Sequence, residues 1–298
     1  MPEYGIRSRY SQSPFQILIY DQIGLISTGT GFFYEFNNEN YLITNWHNVS
    51  GRHFLTKEKL DLKYGRLPTY IEAKLATDCP ESYGFTTQSY RIEIYQEFKP
   101  TWFEHPTLGS NCDLIAIKME KPLGVTKNFH VPSNRIGNTR IPVKPGNTVF
   151  VLGFPKSISV YIGLPIWKSG YIASEPFYDV TIDGKVSKIG GLESGIKLPA
   201  FFIDTQTKEG MSGSPVFANY IGNWNMKNPY QELNPDSPDF KKSNEIAIGE
   251  NRLEFVGCYS GRVGKKEEGA TLGLCWKEDT IKVICEQKKI GRHPQVED

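Results

Sequence analysis

Within these 298 residues, the segment best suited to chemistry is Glu209-Gly210-Met211-Ser212-Gly213-Ser214-Pro215-Val216-Phe217, a run of small residues that turns directly into a strand-like stretch. Gly210 and Gly213 let the backbone take tight or left-handed conformations, so the Ser212 hydroxyl can stand exposed while nearby N–H groups converge on one cavity fit for an oxyanion. Taken alone, Gly-x-Ser-Gly-x-Pro reads equally as a plain turn entering a strand. A serine hydroxyl also needs a base, and the five histidines differ in context. His293 lies in the tail, His105 and His130 sit by prolines in loops, and His53 follows a Gly-Arg turn. His47 closes the strand-like run Tyr41–Val49, where a strand end can hold an imidazole at the edge of a cleft. It is the base candidate, although a histidine there also serves as an ordinary packing or surface residue. The third partner should be a carboxylate that fixes the imidazole tautomer and stabilises the imidazolium. Asp113 opens the apolar run Asp113-Leu114-Ile115-Ala116-Ile117, where an unpaired carboxylate is costly. Its ordinary alternative is bonding to nearby backbone at a strand start. Each signal is weak singly; their joint occurrence in the order His47, Asp113, Ser212 points to acyl transfer.

The elements that must position these residues read as strands. The chain has 28 Gly and 19 Pro, and its aromatics are 17 Phe, 16 Tyr and 5 Trp, a turn-rich and ring-rich balance that favours many short strands. FQILIY, GTGFFYEF, NYLITNW, YIEAKLA, SYRIEIYQ and CDLIAIKM form a first group, with Asn37–Asn40 as a hairpin loop. TVFVLGF, PIWKSGYIAS, VTIDG, AFFIDT, SGSPVFA, LEFVGCYSG and ATLGLCW form a second. Closure removes exposed sheet edges. The expectation is an all-β fold of two six-stranded antiparallel β-barrels followed by one C-terminal helix, EDTIKVICEQKK, capped by Asp279 or Thr280 and burying Ile281, Ile284 and Cys285. The expected organisation is a flexible leader 1–13, an N-terminal barrel 14–125, a linker 126–140, a C-terminal barrel and helix 141–290 with a polar insertion at 219–250, and a tail 291–298.

Four blocks together carry a resemblance to a known family: GTGFFY…YLITNWHNVSG around the histidine, CDLIAIKM at the aspartate, VLGFP…LPIWKSGYIAS, and EGMSGSPVF followed by FVGCYSG. Over about residues 15–290 the chain resembles the trypsin/chymotrypsin-like serine peptidases, in particular the bacterial trypsin-like, HtrA-like branch. The resemblance implies a chymotrypsin-like fold and assigns Ser212 as nucleophile, His47 as general base and acid, and Asp113 as its orienting carboxylate. It implies an oxyanion hole from the N–H groups of Gly210 and Ser212, with Met211 shaping the turn. It also puts Ser260 facing the aspartate, and Ser260, Gly261 and Arg262 along the substrate backbone. Gln206 would lie at the floor of the primary specificity pocket, with Thr207, Arg262 and Gly269 on its walls.

The chain departs from the family pattern in several places. Met211 stands where digestive relatives have an aspartate, so activation through a new N-terminus is not expected. Ser214 replaces a glycine. HtrA-type relatives carry a PDZ domain after the protease, and no residues remain here for one, which implies a stand-alone peptidase. No carboxylate falls at the pocket, which argues against Lys or Arg specificity; Gln206 and Arg262 would suit a polar or acidic side chain, although Arg262 can equally point to solvent. An unrestrained peptidase in the cytoplasm would be hazardous, so an activating protein partner or narrow specificity is expected, with 219–250 as the candidate element.

Other classes fall away. A net charge of +1 provides no field for nucleic acid or anionic membrane. No apolar run reaches the roughly 20 residues of a span, and the start lacks the build of a signal peptide. Five cysteines without CxxC suit reduced thiols, hence a cytoplasmic setting. With no metal-ligand spacing, P-loop or dinucleotide fingerprint, no metal and no cofactor is expected. The expected partner is a protein or peptide substrate. The main competitor is a catalytically silent peptidase-fold module that binds extended peptides by strand addition. An α/β-hydrolase esterase would need the order Ser, acid, His.

Overall fold

A computed structural model describes residues 8–79, 84–119, 129–137, 141–161, 163–182, 196–220, 252–262 and 272–294. The first strands are β1 (Pro14–Tyr20), β2 (Leu25–Phe36), β3 (Glu39–Thr44), β4 (Tyr70–Cys79), β5 (Gly84–Glu93) and β6 (Ile115–Met119). They form one sheet in the order β5-β4-β1-β2-β3-β6. The β2–β3 connection is tighter than expected. Phe36 already pairs with Glu39, and Asn37 and Asn38 make the turn at φ 49° and 61°, a left-handed pair that asparagine tolerates and that matches strand twist.

The second set is β7 (Thr148–Gly153), β8 (Ile166–Ile172), β9 (Ala200–Thr205), β10 (Pro215–Tyr220), β11 (Arg252–Arg262) and β12 (Leu272–Lys277). These six close into a barrel in the order β8-β9-β12-β11-β10-β7. The expected VTIDG strand stays outside it, as Val180–Ile182 paired with Ile196–Leu198. One of the two expected barrels is closed. The second group closes, whereas among the described residues no ladder joins β5 to β6, the edges of the first sheet. The edge of β6 is taken elsewhere: Phe103 N–H donates to Ala116 O (2.8 Å) and Ala116 N–H donates back (3.0 Å). Phe103 also bridges Ile290, so the segment after the C-terminal helix adds to the far side of Phe103.

Aromatic side chains fill the junction of the two sheets. Phe32 meets Phe255 edge-on at 5.5 Å between centroids, and Phe54 meets Trp276 at 6.0 Å. Burial of such rings is the main cohesive contribution between the sheets. The C-terminal helix runs Glu278–Gln287 and buries Thr280, Ile281, Ile284 and Cys285. Neither Asp279 nor Thr280 caps it: Lys277 is the N-cap residue, and Thr280 Oγ1 donates instead to Pro199 O (3.1 Å). The helix also ties back to the first sheet, where Tyr34 Oη donates to Glu278 Oε1 at 2.9 Å.

Residues 1–7 of the leader, the tail beyond Pro294, Gly269, and the 219–250 segment beyond Tyr220 lie outside the described residues. Among the described residues no helix is long and apolar enough to cross a membrane, and no His, Cys, Asp and Glu cluster could hold a metal ion.

Candidate active site

His47 does not close a strand. Strand β3 ends at Thr44, and after Asn45 in extended conformation the chain forms a short helix, Trp46–Ser50. Two tertiary contacts override the strand-like pattern. The His47 backbone N–H, which a first helical turn leaves without an internal partner, donates to Asp113 Oδ1 at 2.9 Å. Gly51 ends the helix at φ +67°, and a Cβ there would come within 2.6 Å of Pro68 Cδ. Asn45, fully buried, ties the two segments by donating from Nδ2 to Asp113 O at 2.7 Å.

Asp113 lies two residues before β6 and is completely buried. Its carboxylate collects three donors: the His47 amide, His47 Nδ1 on Oδ2 (2.8 Å), and the Ser260 hydroxyl on the same oxygen (2.5 Å). A buried carboxylate is tolerable when its lone pairs are filled in this way. Because the carboxylate accepts from Nδ1, that nitrogen carries the ring hydrogen and Nε2 keeps its lone pair. The His47 side chain is 18% exposed.

Ser212 sits in the turn between β9 and β10, and every carbonyl around it is engaged. Glu209 O accepts from Lys156 N (2.7 Å), Met211 O from Ser214 N (3.1 Å), and Ser212 O from Thr30 N (2.9 Å). Gly210 O accepts from Thr30 Oγ1 at 2.8 Å. A trans peptide points its N–H opposite to its C=O. With Glu209 O and Met211 O held on the protein side, the amides of Gly210 and Ser212 turn the other way, and neither has a partner among the described residues. Gly210 is required: φ is +91°, and a Cβ would lie 2.3 Å from Phe154 O. Ser214 is accommodated opposite Gly153, where a Cβ would come within 2.1 Å of Ser214 Oγ. The Ser212 hydroxyl itself makes no hydrogen bond to His47 or to any other described residue.

The pocket residues separate. Gln206 is exposed between buried Thr205 and Thr207, because the inward–outward alternation of β9 continues through them. Its side chain is exposed to solvent in the free chain. The buried polar pair is Thr207 Oγ1 with Tyr259 Oη. Arg262 is exposed, and its Nη2 donates to Thr207 O at 2.6 Å. Gly261 lies between Ser260, on Asp113, and Arg262, on the Thr207 wall. The other histidines are occupied differently. His130 is buried between Ala76 N and Gln12 O, His105 accepts from the amides of its own turn, and His293 packs on Tyr95. Burial lowers the His53 imidazole below its ordinary value.

Two residues of this site were not singled out by sequence reasoning, Asn45 and Thr30. The available signal was the glycine pair around Thr30, since Gly29 and Gly31 face Asn48 and Phe15 so closely that a Cβ at either would press on them at 2.9 and 3.0 Å.

The sequence profile described as "Trypsin-like peptidase domain" matches residues 29–223. No curated protein matches the chain. Among solved structures, the active form of the Rv3671c protease from M. tuberculosis aligns over 95% of this chain and 83% of its own, at 13% identity and a TM-score of 0.47. The serine endoprotease from Yersinia pestis aligns over 95% and 67%, at 12% identity and 0.46. The protease Anisep from Arthrobacter nicotinovorans aligns over 93% and 94%, at 12% identity and 0.45.

Proposed function

The chain belongs to the trypsin-like peptidase family and is a serine protease, and on that premise we propose that Ser212, His47 and Asp113 are its catalytic triad and that it is an endopeptidase working through an acyl-enzyme. The observation that carries this reading is the His47–Asp113–Ser260 clasp, which occupies His47 Nδ1 and leaves Nε2 to a substrate, together with a turn whose Gly210 and Ser212 amides have no partner among the described residues. Ser212 Oγ attacks the peptide carbonyl as its proton passes to His47 Nε2. The new C–O bond puts a negative charge on the carbonyl oxygen, which the Gly210 and Ser212 N–H groups receive. The C–N bond then breaks, the amine leaves with the proton from His47, and water repeats the sequence to release the acid. Asp113 stays ionised and stabilises the imidazolium throughout.

Ser260, Gly261 and Arg262 are proposed to line the substrate backbone, with Gln206, Thr207 and Arg262 at the primary pocket. A guanidinium on the Thr207 wall and no carboxylate partner among the described residues support a polar or acidic side chain before the scissile bond. The unmade Ser212–His47 bond supports restraint by substrate choice or an activating protein partner, because the last contact is then left to a bound ligand. Four buried free thiols, Cys112, Cys258, Cys275 and Cys285, support a reducing cytoplasmic setting.

The test is intact-mass analysis of wild type and Ser212→Ala after treatment with a fluorophosphonate. One adduct on wild type and none on the variant is expected. A folded wild type that takes no adduct would overturn the reading in favour of a peptide-binding module.

A further inference from the structure

Thr30 is completely buried and belongs to the first sheet, yet it holds the nucleophile turn of the second. Its backbone N–H donates to Ser212 O (2.9 Å) and its hydroxyl donates to Gly210 O (2.8 Å), so one residue grips the carbonyls on either side of Met211. The same hydroxyl accepts from Phe154 N at 3.3 Å. Its own carbonyl accepts from Thr44 Oγ1 (2.8 Å), which in turn accepts from Asn48 Nδ2 (2.9 Å) on the helix that carries His47. On the far side, Lys156 and Ser157 hold left-handed conformations at φ 50° and 61°. The Lys156 N–H then reaches Glu209 O, and Ser157 Oγ returns to Thr28 Oγ1 at 3.1 Å.

We propose that Thr30 is the positioning residue of the oxyanion hole: its hydroxyl locks the Gly210–Met211 peptide, the link between the two peptides that carry the Gly210 and Ser212 amides, and so fixes how those amides converge. This rests on the assignment of Ser212 as nucleophile and of those amides as the hole. Lys156 holds the peptide before Gly210 through Glu209 O and Thr30 holds the one after it through Gly210 O, so the angle between them at Gly210, the residue type with the widest choice of backbone conformations, is set by these two bonds. Without the Thr30 hydroxyl, Gly210 O and Phe154 N–H are both stranded in a buried place, and rotation of the glycine peptides is the way to recover their hydrogen bonds. Rotation of the Gly210–Met211 peptide changes the angle between its two neighbours, so the Gly210 and Ser212 amides no longer converge on one oxygen. Thr30 touches no substrate in this scheme; it acts through the turn.

The experiment compares wild type, Thr30→Val, Thr30→Ser and Ser212→Ala by the rate of covalent labelling with a fluorophosphonate, whose phosphoryl oxygen uses the same donors. Concentration dependence separates the limiting rate of labelling from the reversible binding constant. Thr30→Val is expected to lower the limiting rate roughly tenfold, the factor for one neutral hydrogen bond, with the binding constant changed by less than about twofold. Thr30→Ser keeps the hydroxyl and should restore most of the rate. Near-ultraviolet circular dichroism checks folding, and Thr30→Ala carries the same comparison should the valine variant not fold. A folded hydroxyl-free variant that labels as fast as wild type, or a serine variant slowed as much as the hydroxyl-free one, overturns the proposal while the Ser212 assignment stands. Labelling of Ser212→Ala at the wild-type rate overturns both.

Discussion

His130 offers a pH experiment whose size follows from its surroundings. The ring is buried, with Phe129 and Phe15 edge-on at 4.9 and 5.5 Å. Nε2 accepts from Ala76 N at 2.9 Å, and Nδ1 faces Gln12 O at 3.2 Å, so the neutral ring is fully used and clasps the leader and β4 together. Burial pushes its pKa from 6.5 down to about 4. Protonation would put a second hydrogen on Nε2, against the Ala76 amide. Since the folded pKa lies below the unfolded one, the unfolded chain binds the extra proton first as pH falls. The stabilisation is therefore complete above pH 6.5 and is lost progressively toward pH 4. Integrating the linkage between those two values gives a loss of about 1 kcal/mol at pH 5.5 and about 3 kcal/mol at pH 4. His130→Gln removes the titration while its amide can still accept from Ala76 and donate to Gln12. Urea unfolding of both proteins at pH 7.5, 5.5 and 4 is the assay. The glutamine variant is expected to be less stable than wild type at pH 7.5, and to close that gap by about 3 kcal/mol at pH 4. Parallel pH curves for the two proteins would refute the reasoning.

Two further outcomes test the site directly. Gly210→Ala puts a methyl 2.3 Å from Phe154 O and must displace the turn; steady-state peptide hydrolysis should fall about 100-fold or more in kcat, the size of losing one oxyanion donor, and a variant within a few fold of wild type would remove Gly210 from the hole. Arg262→Gln should cut kcat/KM for peptides with Glu before the scissile bond about fivefold, as for a partly exposed ionic contact, and leave the Gln analogue unchanged. Equal effects on the two peptides would mean that Arg262 braces Thr207 and does not read charge.

What could be read from the sequence was the chemistry of residue types and the period of the strands. The tight Ser212 turn announces itself through its glycines, both at positive φ, and β7 through β12 follow apolar stretches bounded by turn residues. Less legible was anything set by contacts between distant segments. His47 looked like the end of a strand because Tyr41–Val49 is apolar and continuous; Asp113, 66 residues away, draws it into a helix by accepting its amide. Thr30 and Gly210 are 180 residues apart, and no local pattern couples them. Gln206 was placed by counting back from Ser212, but the exposure of a side chain depends on the alternation of β9, which puts Thr207 inward. The pairing of Phe103 with Ala116 on β6 is likewise a contact between distant segments that no local pattern announces.

These long-range contacts make the site a product of how the two sheets meet. Asp113 belongs to the first set of strands and Ser260 to the second; Thr30 belongs to the first and the Ser212 turn to the second. No single sheet contains both a basic Nε2 and an oriented pair of amides, so docking of the sheets and assembly of the chemistry are one event. The junction is held mainly by apolar rings such as Phe32 on Phe255, which tolerate small shifts, whereas the Thr30 and Ser260 hydroxyls impose a particular register through directed hydrogen bonds. Aromatic burial therefore brings the halves together, and the hydroxyls fix the register in which the Asp113 carboxylate meets Ser260 and Thr30 meets the Ser212 turn. A slip of about 1 Å at the junction would leave the core almost intact but remove the geometry that peptide hydrolysis needs.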